Sequence, residues 1–255
     1  VTTDDPFVPV LLWVARVASI AAIVNALELL TIRKAWSDSG VWRAPTLRAE
    51  WGVFGALLGE RAFTGLLSAQ IVAGVFLAAT PNAPCAALLC ATTYLCALRF
   101  RGSVNGGSDA MLFTVLGGLT LALSTNAPSA LREAGMLYIA AQLTLSYMRA
   151  GLVKARRVTW WNGDAMAAFL ALPAYGVPSW MPRAPGLLRV AGIAVVCFEL
   201  AAPLAWTNRL LCIAYIAAAL CFHAATAVTF GLNRFFLAWG AALPTLWYAM
   251  LRVHR

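Results

Sequence analysis

Residues 7–30 read FVPVLLWVARVASIAAIVNALELL, with Arg16 and Glu28 as the only charged side chains. A membrane-crossing helix needs ~20 apolar residues, and it satisfies its own backbone N–H and C=O groups where hydrocarbon offers no water. The run therefore predicts a span. Seven more apolar runs follow at Phe54–Thr80, Pro84–Leu98, Ala110–Ser124, Met136–Val153, Leu187–Trp206, Leu210–Phe230 and Phe235–Leu251. The expected fold class is all-α, a polytopic transmembrane helical bundle of about eight spans, with seven as the next count. The third and fourth runs, about 15 residues each, are short for a full crossing and predict tilted, re-entrant or flank-extended segments.

Composition agrees. Of 255 residues, 62% are hydrophobic and 11% charged, against about 25% charged in soluble domains. Repeated spans use nearly all of that length, so one transmembrane domain over residues 1–255 is expected. The net charge of +9 does not read as nucleic-acid binding, because the basic residues fall between apolar runs and no aromatic stacking motif accompanies them. The start of the chain, with Asp4 and Asp5, lacks a positive n-region, so the first run is expected to be a retained span. Cys85, Cys90, Cys96, Cys197, Cys212 and Cys221 lie in apolar runs with no C-x-x-C or metal-ligand spacing, and read as small buried apolar residues.

Two connections are long. Residues 32–61 interleave Trp36, Trp42 and Trp51 with Arg33, Lys34, Arg43 and Arg48, which suits an interfacial segment. Residues 154–183 contain Trp160, Trp161 and a short apolar helix, Ala165–Leu172, stopped by Pro173. It reads as half inserted. Fourteen Lys and Arg fall on alternate connections and run ends and four on the others, with Arg16 left over inside the first run. The positive-inside rule then puts both termini outside the cell membrane.

Ionisable side chains within apolar runs cost about 2.5–3.5 kcal/mol each on insertion scales, which makes them functional candidates. They are Arg16, Glu28, Glu199 and His223, with Asp109, Lys154 and Asp164 at the rims. His223, in LCFHAAT, can act as acid, base or ligand near neutral pH; it can also simply bond a neighbouring helix. Glu199 lies in CFELAAP, where Pro203 cannot donate to the Glu199 carbonyl. The stretch Arg99-Phe-Arg101-Gly-Ser-Val-Asn105-Gly106-Gly107-Ser-Asp109 could cradle an anion or a lipid head group, or form a plain turn with Asp109 as helix N-cap. Lys154, followed by Trp160-Trp161-Asn-Gly, is either a desolvated base or a snorkelling anchor. No phosphate-binding loop, dinucleotide fingerprint, nucleophile elbow or zinc-protease motif is present, and two histidines, His223 and His254, argue against a histidine-rich metal site.

Four segments in order, residues 101–109, 150–163, 198–204 and 222–232, resemble the HTTM (horizontally transferred transmembrane) family, bacterial membrane relatives of vitamin K-dependent gamma-carboxylase. The resemblance implies a membrane core that holds a quinone or other lipid. In it Lys154 matches the catalytic base and His223 the membrane histidine; beside the resemblance, Glu199 is read as their proton or orientation partner. Arg99, Arg101, Asn105, Gly106, Gly107, Asp109, Trp160 and Trp161 would then contact the cofactor. This chain lacks a histidine that the carboxylase carries after its Asn and lacks the large lumenal domain, so glutamate carboxylation itself does not follow. The carboxylase site opens on the lumenal side, whereas the loop charges here place Lys154 in the cytoplasm.

Three readings stay open at this point. One is a membrane enzyme with Lys154, Glu199 and His223 in a single cluster. A second is a non-catalytic maturation or export partner for a secreted peptide, of the kind that matures the sporulation-delaying toxin, acting with a partner protein. The third is a small transporter using Glu199 and His223 as a proton relay.

Overall fold

A computed structural model describes residues 6–46, 52–100, 106–175, 177–178 and 180–254. Among them, all regular structure is helical. The long helices are α1 (Phe7–Thr31), α3 (Glu60–Ala79), α4 (Ala83–Arg99), α5 (Gly106–Ala122), α6 (Ser129–Ala155), α9 (Pro185–Leu200) and α10 (Arg209–Phe230). Short helices are α2 (Arg33–Trp36), α7 (Val158–Trp161), α8 (Asp164–Leu170), α11 (Asn233–Ala242) and α12 (Pro244–Val253). A helix occupies each of the eight apolar runs. Three of them, α1, α3 and α10, are long and apolar enough to cross a membrane, and α4 and α5 are shorter apolar helices.

Local chemistry sets the ends. Asn82 and Asn208 cap α4 and α10 by accepting from Cys85 N and Leu211 N at 2.9 and 3.0 Å, and Gly231 ends α10 at φ 70°, where a Cβ would be strained. Helix α3 starts at Glu60 rather than Phe54 because that carboxylate, at a helix N-terminus, also accepts from Arg33 at 2.9 Å and from Asp38 N at 2.9 Å. The eighth run is two helices, since the Pro244 nitrogen has no hydrogen to donate.

Helix α1 packs on α3, α5 and α11, and α6 packs on α5 and α9. Small residues allow the closest approaches: a Cβ on Gly118 would lie 2.6 Å from the Gly135 carbonyl, and one on Gly74 would lie 2.6 Å from the Ile23 side chain. Large apolar residues point outward, among them Val228 at 88% exposure and Leu210 at 76%. An apolar rim of this kind suits a lipid surround.

A second, smaller core corrects two expectations. Trp36 is completely buried rather than interfacial, donating to the Leu29 carbonyl at 2.6 Å and meeting Phe63 edge-on. Arg99 turns inward, donating to the Trp36 carbonyl at 2.9 Å and lying 5.5 Å from the Phe63 and Phe100 ring centroids. A guanidinium held this way ties α4 to the chain after α1.

Candidate functional site

Thr144, Tyr147, Gly151 and Lys154 recur at three- and four-residue spacing and so form one stripe of α6. That stripe packs on α9 and the 3-10 turn Ala202–Trp206. Trp206 Nε1 donates to Thr144 Oγ1 at 2.9 Å, and the Phe198 ring meets Tyr147 edge-on at 5.2 Å. Gly151 sets the separation: a Cβ there would touch Glu199 Cβ and Leu200 at 3.0 Å.

At the end of the stripe, Lys154 Nζ donates to both Glu199 oxygens, at 2.6 and 2.7 Å. The Glu199 side chain is 6% exposed and that of Lys154 is 21%. Trp160 closes over the ammonium, its ring 5.2 Å from Nζ. Glu199 is not in mid-helix as its run suggested; α9 stops at Leu200, and Pro203 lies in the 3-10 turn that follows. The proline thus places the carboxylate at a break in the run.

Two turns back along the stripe, Tyr147 Oη and His223 Nε2 are 2.6 Å apart. Aromatic rings surround the couple. Tyr147 contacts Phe198, Tyr215 and Trp239, and His223 contacts Phe222, Phe235 and Trp239, all with ring centroids within 5.7 Å. Within this nest His223 Nδ1, Tyr215 Oη and Trp239 Nε1 are buried without a hydrogen-bond partner. Lys154, Glu199 and His223 therefore form two adjoining pairs rather than one cluster. Phe198, next to Glu199 in sequence and against Tyr147 and Phe222 in space, separates them.

Of the glycine-rich stretch, Gly106–Asp109 opens helix α5. Arg101 and Asn105 lie outside the described residues. Gly106 is the first residue of α5, so Asp109 lies inside the first turn and is not its N-cap. The Asp109 carboxylate accepts directly from Arg234 on α11, and Glu28 of α1 stands 3.7 Å from the same guanidinium. Gly107 lets α11 come close, since a Cβ there would lie 3.1 Å from the Phe235 ring. Trp161 caps the end of α6, its Nε1 donating to the Ala155 carbonyl at 2.8 Å.

Beside these clusters, Asn162, Asp164, Arg183 and Leu188 line a cavity of about 270 Å³ between α8 and the start of α9. Its floor depends on Gly163, at φ 92°, where a Cβ would meet the Arg189 backbone. Among the described residues, no three His, Cys, Asp or Glu side chains gather as metal ligands.

Sequence reasoning missed Tyr147, Tyr215, Trp239 and Arg234. The first was legible as the member of the Lys154 stripe two turns back. Arg234 was counted among the loop charges, and nothing in its surroundings after Gly231 pointed to burial. Compared with known proteins, the chain matches no family model, no curated protein and no solved structure.

Proposed function

We propose that this chain is a multi-pass membrane enzyme of eight spans with both termini outside, built on the core that the HTTM resemblance implies, and that it moves a proton beside a bound quinone or related lipid. The observation that carries this reading is the arrangement on α6: an exchangeable, largely buried Lys154–Glu199 pair and, two turns away on the same stripe, a buried Tyr147–His223 couple.

The chemistry follows from the bonding. As an ammonium, Lys154 has no lone pair with which to take a proton. Glu199 is placed to accept one of its hydrogens, leaving a neutral amine and a neutral carboxyl, and the freed amine can then act as a base. Two charges become none in that step, which a low-dielectric site favours. Trp160 limits water access to the amine. In the nest, an unpartnered buried polar atom costs about 1–3 kcal/mol, so Trp239 Nε1 and Tyr215 Oη favour a guest that offers acceptor oxygens among its rings. A quinone fits that description, and when bound it would supply reversible two-electron, two-proton chemistry. His223, held by Tyr147, would orient its free Nδ1 toward such a guest.

Mass spectrometry of lipids retained by the protein purified in mild detergent tests this directly. A quinone or isoprenoid lipid at near one per chain is expected, with a marked loss in His223→Ala and Trp239→Phe. Retention no greater than that of an unrelated membrane protein from the same cells would overturn it. Labelling of single cysteines introduced at each terminus, in intact cells, tests the orientation.

A further inference from the structure

We infer that the outward face of α1 docks a transmembrane helix of a second protein, one that carries an Asp or Glu near the middle of its span. The inference rests on the membrane-spanning reading of α1 and on no part of the proposed chemistry.

Arg16 carries the argument. It stands nine residues after Phe7 in a helix that runs to Thr31, about 13.5 Å along the axis at 1.5 Å per residue. Its side chain is exposed on the outside of the bundle and has no hydrogen bond or ion pair among the described residues. Trp13, Ile20 and Leu27 share its side of the helix, each about half exposed at 55%, 47% and 49%. The other sides of α1 are taken by α3, α5, α11 and α12. An apolar stripe carrying one bare guanidinium, more than two turns in from the start of the helix, is thus presented to the membrane interior.

A charge at that depth requires a counter-charge. The described helices supply none, because every acidic side chain in them is engaged. Glu28 and Asp109 face Arg234, Glu60 holds Arg33, Glu133 holds Arg252, Glu199 holds Lys154, and Asp164 accepts from Asn162. A second copy docked through the same stripe would bring Arg16 toward Arg16. Snorkelling to lipid head groups serves residues near helix ends, and Arg16 is more than two turns inside. Charge complementarity therefore selects an acidic helix from a different chain, with Trp13 and Ile20 packing on either side of the pair.

The test reconstitutes the full chain in phosphatidylcholine vesicles with a fluorescent leucine-based transmembrane peptide bearing one central Glu, and reads association by energy transfer. Association about tenfold tighter than for the all-leucine peptide is expected, with the difference lost in Arg16→Leu. In Arg16→Glu the preference should switch to a peptide with a central Lys, a gain that misfolding cannot produce. Equal association of the Glu and Leu peptides would overturn the inference. So would a preference unchanged in Arg16→Leu. Energy transfer between two labelled copies that disappears in Arg16→Leu would overturn it in favour of self-association, and Arg16-dependent enrichment of phosphatidylglycerol around the chain, with no peptide preference, would overturn it in favour of a lipid.

Discussion

Two buried ion pairs among the described residues differ in the identity of the cation and in what surrounds it. Asp109–Arg234 is closed on every side, with both side chains 7% exposed, and Glu28 adds a third charge from α1. Lys154–Glu199 lies at the end of a helix, with the lysine 21% exposed beneath Trp160. A guanidinium stays protonated at any working pH, whereas an ammonium can give up its proton. The first pair can therefore only hold helices together, here α1, α5 and α11. The second can hold α6 to α9 and also exchange a proton between its members.

Removing one partner of the closed pair should have the largest effect. Arg234→Leu leaves the Asp109 carboxylate unpaired among apolar neighbours, and a loss of about 3–5 kcal/mol is expected, read as a fall in the melting temperature in detergent. The double variant Asp109→Leu/Arg234→Leu should recover most of it. If the double variant is no better than the single, the pair has a role beyond tying helices, and the contrast fails.

Gly151→Val comes next. Its side chain has no room against Glu199 and Leu200, so about 1–3 kcal/mol is expected from overpacking, together with separation of Lys154 from Glu199. A cysteine cross-link between positions 154 and 199 that forms in the parent and fails in Gly151→Val would check the geometry. Tyr147→Phe removes the oxygen that meets His223 Nε2 and should cost about 1–2 kcal/mol. Histidine nuclear magnetic resonance should show the ring's tautomer or protonation change in this variant and not in Tyr138→Phe, an exposed tyrosine on the outer face of the same helix.

Lys154→Arg is expected to disturb stability least, by about 1 kcal/mol or less, because charge and pairing survive. It should nonetheless abolish any turnover that depends on a neutral amine. Full turnover in Lys154→Arg would erase the distinction between the two pairs.

Much of the architecture was readable beforehand. Runs such as residues 7–30 specify helices because a helix closes its backbone hydrogen bonds locally, whatever surrounds it. The same locality explains why Lys154, Glu199 and His223 stood out: each interrupts an apolar run. Other features resisted for a shared reason. Trp36 looked interfacial among Arg33 and Lys34, yet it is buried with its indole bonded to the Leu29 carbonyl and edge-on to Phe63. Arg99 looked like part of a polar loop, and its contacts lie 63 positions back at the Trp36 carbonyl.

The sequence alone therefore determined that the chain is helical, where its helices run and which ionisable residues are set among apolar neighbours, since these depend on side chains within a few turns of one another. Only the tertiary structure decided who pairs with whom. Glu199 meets Lys154 across 45 positions and Arg234 meets Asp109 across 125, and those choices follow from which helix faces touch. The same structure left Arg16 on an outer face, where no partner among the described residues reaches it.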